Sequence, residues 1–117
     1  MDKSMSVTIW HNPRCSKSRR ALAIIREQGI EPEVVEYLKE PPSVQQLREV
    51  AELTGKKPSE FVRTGEKIYK ELELKGSDDQ TLLAAMSAHP ILIERAIVFA
   101  NGKAVIGRPP EDVTNIL

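Results

Sequence analysis

Cys15 is the one cysteine of a 117-residue chain, and it stands in the run His11-Asn12-Pro13-Arg14-Cys15-Ser16-Lys17-Ser18. A thiolate is the nucleophilic form of cysteine, and both a helix N-terminus and nearby cations stabilise it. Cys15 has both in prospect, because helical spacing begins at Ser16, Arg14 and Lys17 flank it, and His11 lies in the loop that feeds the same turn. Ser16 and Ser18 offer hydroxyls to the sulfur. The same unpaired amides make an anion site, so a thiolate and an oxyanion would share one cradle. A lone cysteine is commonly an inert small hydrophobe. A proline turn flanked by Arg14, Ser16 and Lys17 is a poor setting for core packing, and the residues point to a reactive thiol.

Spacing separates the thiol chemistries. A tyrosine-phosphatase loop needs Cys, five residues, then Arg; that register falls on Ala21, with Arg19 and Arg20 out of place. A thioredoxin or glutaredoxin dithiol needs Cys-x-x-Cys, and here Ser18 holds the second place. The chain therefore cannot resolve its own mixed disulfide, and a second thiol must come from another molecule. One Cys and two well-separated histidines, His11 and His89, match no closed zinc spacing, so no metal is expected. His89, just before Pro90, reads as a helix-end residue with no catalytic part. The glycines form none of the usual nucleotide-binding series.

The elements that must position Cys15 follow from periodicity. Val7-Thr8-Ile9-Trp10 is a strand stopped by His11-Asn12-Pro13. From Ser16 the apolar face of Ala21, Leu22, Ile24 and Ile25 predicts a helix that ends at Gly29. Val34-Val35-Glu36-Tyr37 reads as a second strand, and Ser43-Val44-Gln45-Gln46 as a capping box opening a helix that ends at Gly55. Residues 57–89 read as two or three short helices with no strand, starting at Pro58-Ser59 and Asp78-Asp79 and stopping at His89-Pro90. Ile97-Val98-Phe99-Ala100, Asn101-Gly102 and Lys103-Ala104-Val105-Ile106 predict a type I′ hairpin. Pro109-Pro110 opens a final helix. The order is β-α-β, a helical block, then β-β-α. That implies an α/β domain with a four-stranded mixed sheet in the thioredoxin-like arrangement, residues 1–117 as one domain with a helical insertion at about residues 43–89.

Composition bounds the setting. Hydrophobic residues at 40% and charged residues at 29% support a globular core rather than disorder. No apolar stretch approaches the roughly 20 residues that span a bilayer. The polar residues 1–6 do not resemble a secretory signal, and a lone cysteine suits a reducing cytoplasm. The 17 basic and 17 acidic residues cancel, which argues against nucleic-acid binding. Their distribution is uneven: no acid lies between Asp2 and Glu27, while Lys3, Arg14, Lys17, Arg19, Arg20 and Arg26 do. Arg20 and Arg26 read as a solvated helix face.

The loop from His11 to Arg19 resembles the active-site loop of the ArsC family of glutaredoxin-coupled arsenate reductases. Tyr37-Leu38-Lys39-Glu40-Pro41-Pro42, Phe61-Val62-Arg63, His89-Pro90-Ile91-Leu92-Ile93-Glu94-Arg95 and Gly107-Arg108-Pro109 resemble family blocks in the same order, so the resemblance covers residues 7–117. It implies that Cys15 is the nucleophile that attacks arsenate, supported by His11 and Ser18. It further implies that Arg63, Arg95 and Arg108 hold the oxyanion, with Asn12 of the loop also assigned to substrate. Guanidinium groups suit that task, since they donate paired hydrogen bonds to tetrahedral oxyanions. The resemblance also implies a cytoplasmic monomer with no tightly bound cofactor, glutathione as co-substrate and glutaredoxin as partner. Two departures stand out. The family carries a cis proline after the arginine matching Arg95, where this chain has Ala96, which leaves the geometry of that peptide open. Arg14 and Lys17 stand where established reductases tend to have small residues. Two other readings keep the fold: a glutathione-linked reductase of another oxyanion or of a disulfide, and an Spx-like regulator that binds RNA polymerase.

Overall fold

A computed structural model of the protein describes residues 6–117. Lys3 of the basic window and nearly all of the polar N-terminal segment lie outside the described residues. The chain divides into two compact units, one running to Tyr37 and resuming at Arg95–Leu117, the other being Leu38–Glu94.

The first unit holds the sheet. Strand β1 (Val7–Trp10) leads through helix α1 (Ser16–Glu27) to β2 (Glu33–Val35), and after the second unit the chain returns as β3 (Ile97–Ala100) and β4 (Lys103–Ile106). The strand order is β2-β1-β3-β4, with β1 and β2 parallel and the other pairs antiparallel. This is the mixed four-stranded sheet that the order of elements predicts. Alternation along the strands sends Val7, Ile9, Val98 and Ala100 into one core with Ala21, Ile24 and Ile25 of α1. Gly29 follows α1 with φ of +80°, and Asn101 and Gly102 supply the two positive φ values of the hairpin turn. The described residues include no helix long and apolar enough to cross a membrane.

Two expectations shift. The second strand is not residues 34–37 but Glu33–Val35, because β2 has only β1 to pair with and its register runs from Thr8↔Glu33 to Trp10↔Val35. The backbone N–H of His11 donates to the Val35 carbonyl at 2.8 Å as β1 gives way to the loop, and no ladder continues to Glu36 and Tyr37. Tyr37 is apolar-run material that is buried outside the sheet. The closing helix is a 3-10 helix, Pro110–Ile116, whose buried residues Val113 and Ile116 stand three apart, the repeat of a three-residue turn.

The second unit is helical: α2 (Val44–Thr54), α3 (Pro58–Phe61), α4 (Lys67–Glu71), α5 (Asp79–Ala88) and a 3-10 turn at Pro90–Leu92. The expected capping box is present, with Gln46 N–H donating to Ser43 Oγ and Ser43 N–H donating to Gln46 Oε1. Gly55 closes α2 in the left-handed region. Helices α2 and α5 pack together, burying Leu47, Val50, Leu82 and Met86. One strand-like pairing occurs where none was expected, an antiparallel bridge between Val62 and Ile93. It fixes the segment after α3 against the segment after the 3-10 turn, with Arg63 N–H on the Leu92 carbonyl and Glu94 N–H on the Phe61 carbonyl.

Candidate active site

Cys15 is the N-cap residue of α1, so its side chain lies where the first amides of the helix point outward unpaired. The loop before it is held by Asn12. The Asn12 carbonyl accepts from Cys15 N–H at 3.0 Å, and its side-chain Oδ1 accepts from Arg14 N–H at 3.0 Å. Arg19, one turn into α1, donates from Nη1 to the Pro13 carbonyl at 2.9 Å and ties the loop to the helix.

Ser18 is fully buried, and its hydroxyl works on the loop. Ser18 Oγ accepts from Asn12 N–H at 2.9 Å and shares a 2.7 Å hydrogen bond with His11 Nδ1. Burial pushes the His11 pKa below the ordinary imidazole value; the Glu36 carboxylate pulls it back up in part, and Arg26 and Arg19 press it further down. The lowered pKa favours the neutral imidazole, and its support of the loop is the hydrogen bond to Ser18.

Burial opposes ionisation of the Cys15 thiol, but the backbone N–H groups of Ser18 and Lys17 and the guanidinium of Arg95 outweigh it, and the pKa falls below the ordinary thiol value. Arg95 Nε donates to Cys15 Sγ at 2.8 Å, a contact that spans 80 positions of sequence. The side chains of Arg14 and Lys17 are exposed. The cation that reaches the sulfur is therefore Arg95, and the contribution of Lys17 comes from its peptide group.

The structure brings His11, Asn12, Cys15, Ser18 and Arg95 into one cluster of the first unit. The Arg95-Ala96 peptide is cis, as is Arg108-Pro109. Arg108, exposed after β4, follows Gly107, whose N–H donates to the Ala96 carbonyl at 2.8 Å; the Arg95 and Arg108 segments thus meet along one backbone junction. A Cβ on Gly107 would stand 3.4 Å from Val113 and 3.5 Å from that carbonyl, in ordinary van der Waals contact. Arg63 belongs to the second unit and is paired with carboxylates, Nη1 to Glu66 at 2.8 Å and Nε to Glu94 at 3.9 Å. Sequence reasoning assigned Arg63 to the site but gave neither acid a role. The i, i+3 spacing of Arg63 and Glu66 was a usable signal, whereas Glu94 comes into range only through the Val62–Ile93 bridge.

The family model of the ArsC family matches residues 10–116. The chain is 49% identical to the uncharacterized protein YfgD of Escherichia coli (strain K12), over 95% of this chain and 96% of that one. It is 45% identical to an arsenate reductase of Neisseria meningitidis, over 95% of this chain and 97% of the relative. Its structure is similar to that of an arsenate reductase from Vibrio cholerae, with a TM-score of 0.94, 49% identity, and coverage of 98% of this chain and 100% of that one. The fold is thioredoxin-like, and the chain belongs to the ArsC family.

Proposed function

We propose that the protein is a cytoplasmic arsenate reductase in which the Cys15 thiolate attacks arsenate and glutathione and glutaredoxin supply the reducing thiols. The observation that carries this reading is the Arg95 Nε to Cys15 Sγ hydrogen bond of 2.8 Å at the start of α1. It pairs a nucleophile with a guanidinium, the group best suited to a tetrahedral oxyanion. The relatives named arsenate reductase support the choice of arsenate.

Chemistry follows from the electron count. Attack by Cys15 forms a sulfur–arsenic(V) bond and displaces one oxygen, which leaves as water with a proton. Glutathione thiolate then displaces a second oxygen and joins the same arsenic. Glutaredoxin thiolate attacks the glutathione sulfur; the electron pair of the sulfur–arsenic bond stays on arsenic, which becomes arsenic(III), and a glutathione–glutaredoxin disulfide departs. Hydrolysis frees arsenite and returns Cys15 to its thiolate. Two electrons are taken from two outside thiols, as a chain with one cysteine requires. In this scheme Arg95 and Arg108 hold the oxyanion and Arg63 is assigned to it by the family pattern, while His11, Asn12 and Ser18 keep the loop in shape.

The test is arsenate-dependent NADPH consumption with glutathione, glutathione reductase and glutaredoxin supplied. Turnover that vanishes in Cys15→Ser and when glutathione is omitted is the expected result. Absence of turnover with arsenate, or turnover only with another oxyanion or a disulfide acceptor, rejects it.

A further inference from the structure

Arg63 does not present an open guanidinium. Glu66 Oε2 accepts from Nη1 at 2.8 Å, and Glu94 Oε1 faces Nε at 3.9 Å. A tetrahedral oxyanion grips a guanidinium with two donors at once, either the Nη1/Nη2 edge or the Nε/Nη2 edge. Each edge has a carboxylate at one prong. An arriving oxyanion therefore meets both an occupied donor and a like charge.

The two carboxylates are not equally fixed. Glu94 is anchored through its N–H on the Phe61 carbonyl and sits beside the Val62–Ile93 bridge, with a side chain 13% exposed. Glu66 stands at the N-cap of α4, and its side chain makes no capping bond to that helix. Its backbone is tied into local turns, with its N–H on the Arg63 carbonyl at 3.3 Å and its carbonyl accepting from Tyr69 N–H at 3.1 Å, and its side chain is 23% exposed. The carboxylate free to give way is that of Glu66.

Resting on the reading of Arg63 as an oxyanion ligand, we infer that Glu66 is a built-in competitor for that arginine: its carboxylate occupies Nη1 in the resting protein and must be displaced when the oxyanion binds, so Glu66 sets the affinity for substrate. Glu66 acts on substrate through Arg63 and keeps the guanidinium ordered between turnovers. It makes the site demanding, because only an oxyanion that offers more than one carboxylate does, in charge and in oxygens, repays the exchange. Monoanionic carboxylates are thereby disfavoured relative to arsenate.

Steady-state kinetics of Glu66→Gln test this. The neutral amide keeps the shape and removes the charge, and KM for arsenate is expected to fall about two- to fivefold, the size of one partly screened ion pair. The effect is expected in KM rather than in kcat, and it disappears when Glu66→Gln is made in an Arg63→Ala background. An unchanged or raised KM, or a lowered KM that persists without Arg63, overturns the inference. A wild-type protein that turns over no arsenate defeats the functional reading instead. The midpoint of arsenate-induced thermal stabilisation then decides between the two alleles: tighter in Glu66→Gln supports competition, equal overturns it. Should Glu66→Gln not fold, Glu66→Asp, which shortens the reach to Nη1, is put through both measurements with the same expected direction.

Discussion

Two arginines of this protein are held at short range by partners of opposite chemical meaning. Arg95, in the sheet-bearing unit, gives its Nε to a sulfur at 2.8 Å. Arg63, in the helical unit, gives its Nη1 to a carboxylate at the same distance. The first pairing leaves a cation beside a group that gains charge only on ionisation, so it draws the thiol toward thiolate. The second neutralises a cation already present. Similar residues and similar distances thus serve one activated group and one restrained group. What an arginine does here depends on what already occupies its donors, which its family position does not reveal.

The largest effect expected from breaking this contrast is that of Cys15→Ser, which removes the partner of Arg95. Alkylation is lost, and arsenate turnover falls by about a thousandfold or more in the coupled assay. The same variant carries a pH signature. Because the folded thiol pKa is depressed, ionised Cys15 stabilises the native state fully above the unfolded pKa, and that increment is lost as pH falls through the folded pKa. Urea unfolding across that window shows the rise in wild type and not in Cys15→Ser.

Ser18→Ala attacks the loop behind the pairing. It leaves Asn12 N–H and His11 Nδ1 without their shared oxygen in a buried site, at a cost of about 2 kcal/mol in urea unfolding. Arg95→Gln is expected to raise the thiol pKa toward its ordinary value and to slow iodoacetamide alkylation at pH 7. A rate unchanged in that variant means that the helix-end amides alone activate the sulfur, and the contrast between the two arginines dissolves. Arg26 supplies the reference for an arginine in an exposed surface pair. It pairs with Glu31 at 3.0 Å on an exposed face, and Arg26→Ala should cost under about 1 kcal/mol, read from thermal unfolding.

How much was legible in the sequence divides along the reach of the forces involved. The α1 start at Ser16, the Ser43–Gln46 capping box and the Asn101-Gly102 turn rest on neighbours within four positions, and local chemistry announces them. Cys15 at a helix N-terminus was readable for the same reason. The second strand was misplaced because its length depends on where β1 ends, which is a tertiary matter. Ser18 was legible as a supporting residue, but not the direction of its hydroxyl: at i+3 from Cys15 it offers the sulfur its amide, and its buried side chain meets His11 and Asn12 instead. The contact between Arg95 and Cys15 crosses 80 positions, and only a family pattern pointed to it. Nothing local foretold Glu94 beside Arg63.

The loop allocates its donors in an instructive way. Asn12 consumes the amides of Arg14 and Cys15, while those of Lys17 and Ser18 go to the sulfur. The thiol is thus served largely by peptide groups, whereas the proposed function gives recognition of the oxyanion to side chains. A peptide N–H survives every substitution except proline, whereas a guanidinium is lost by one codon change. On the proposed function, substitutions at the arginines would alter which anion is accepted while the peptide groups keep the thiol pKa low.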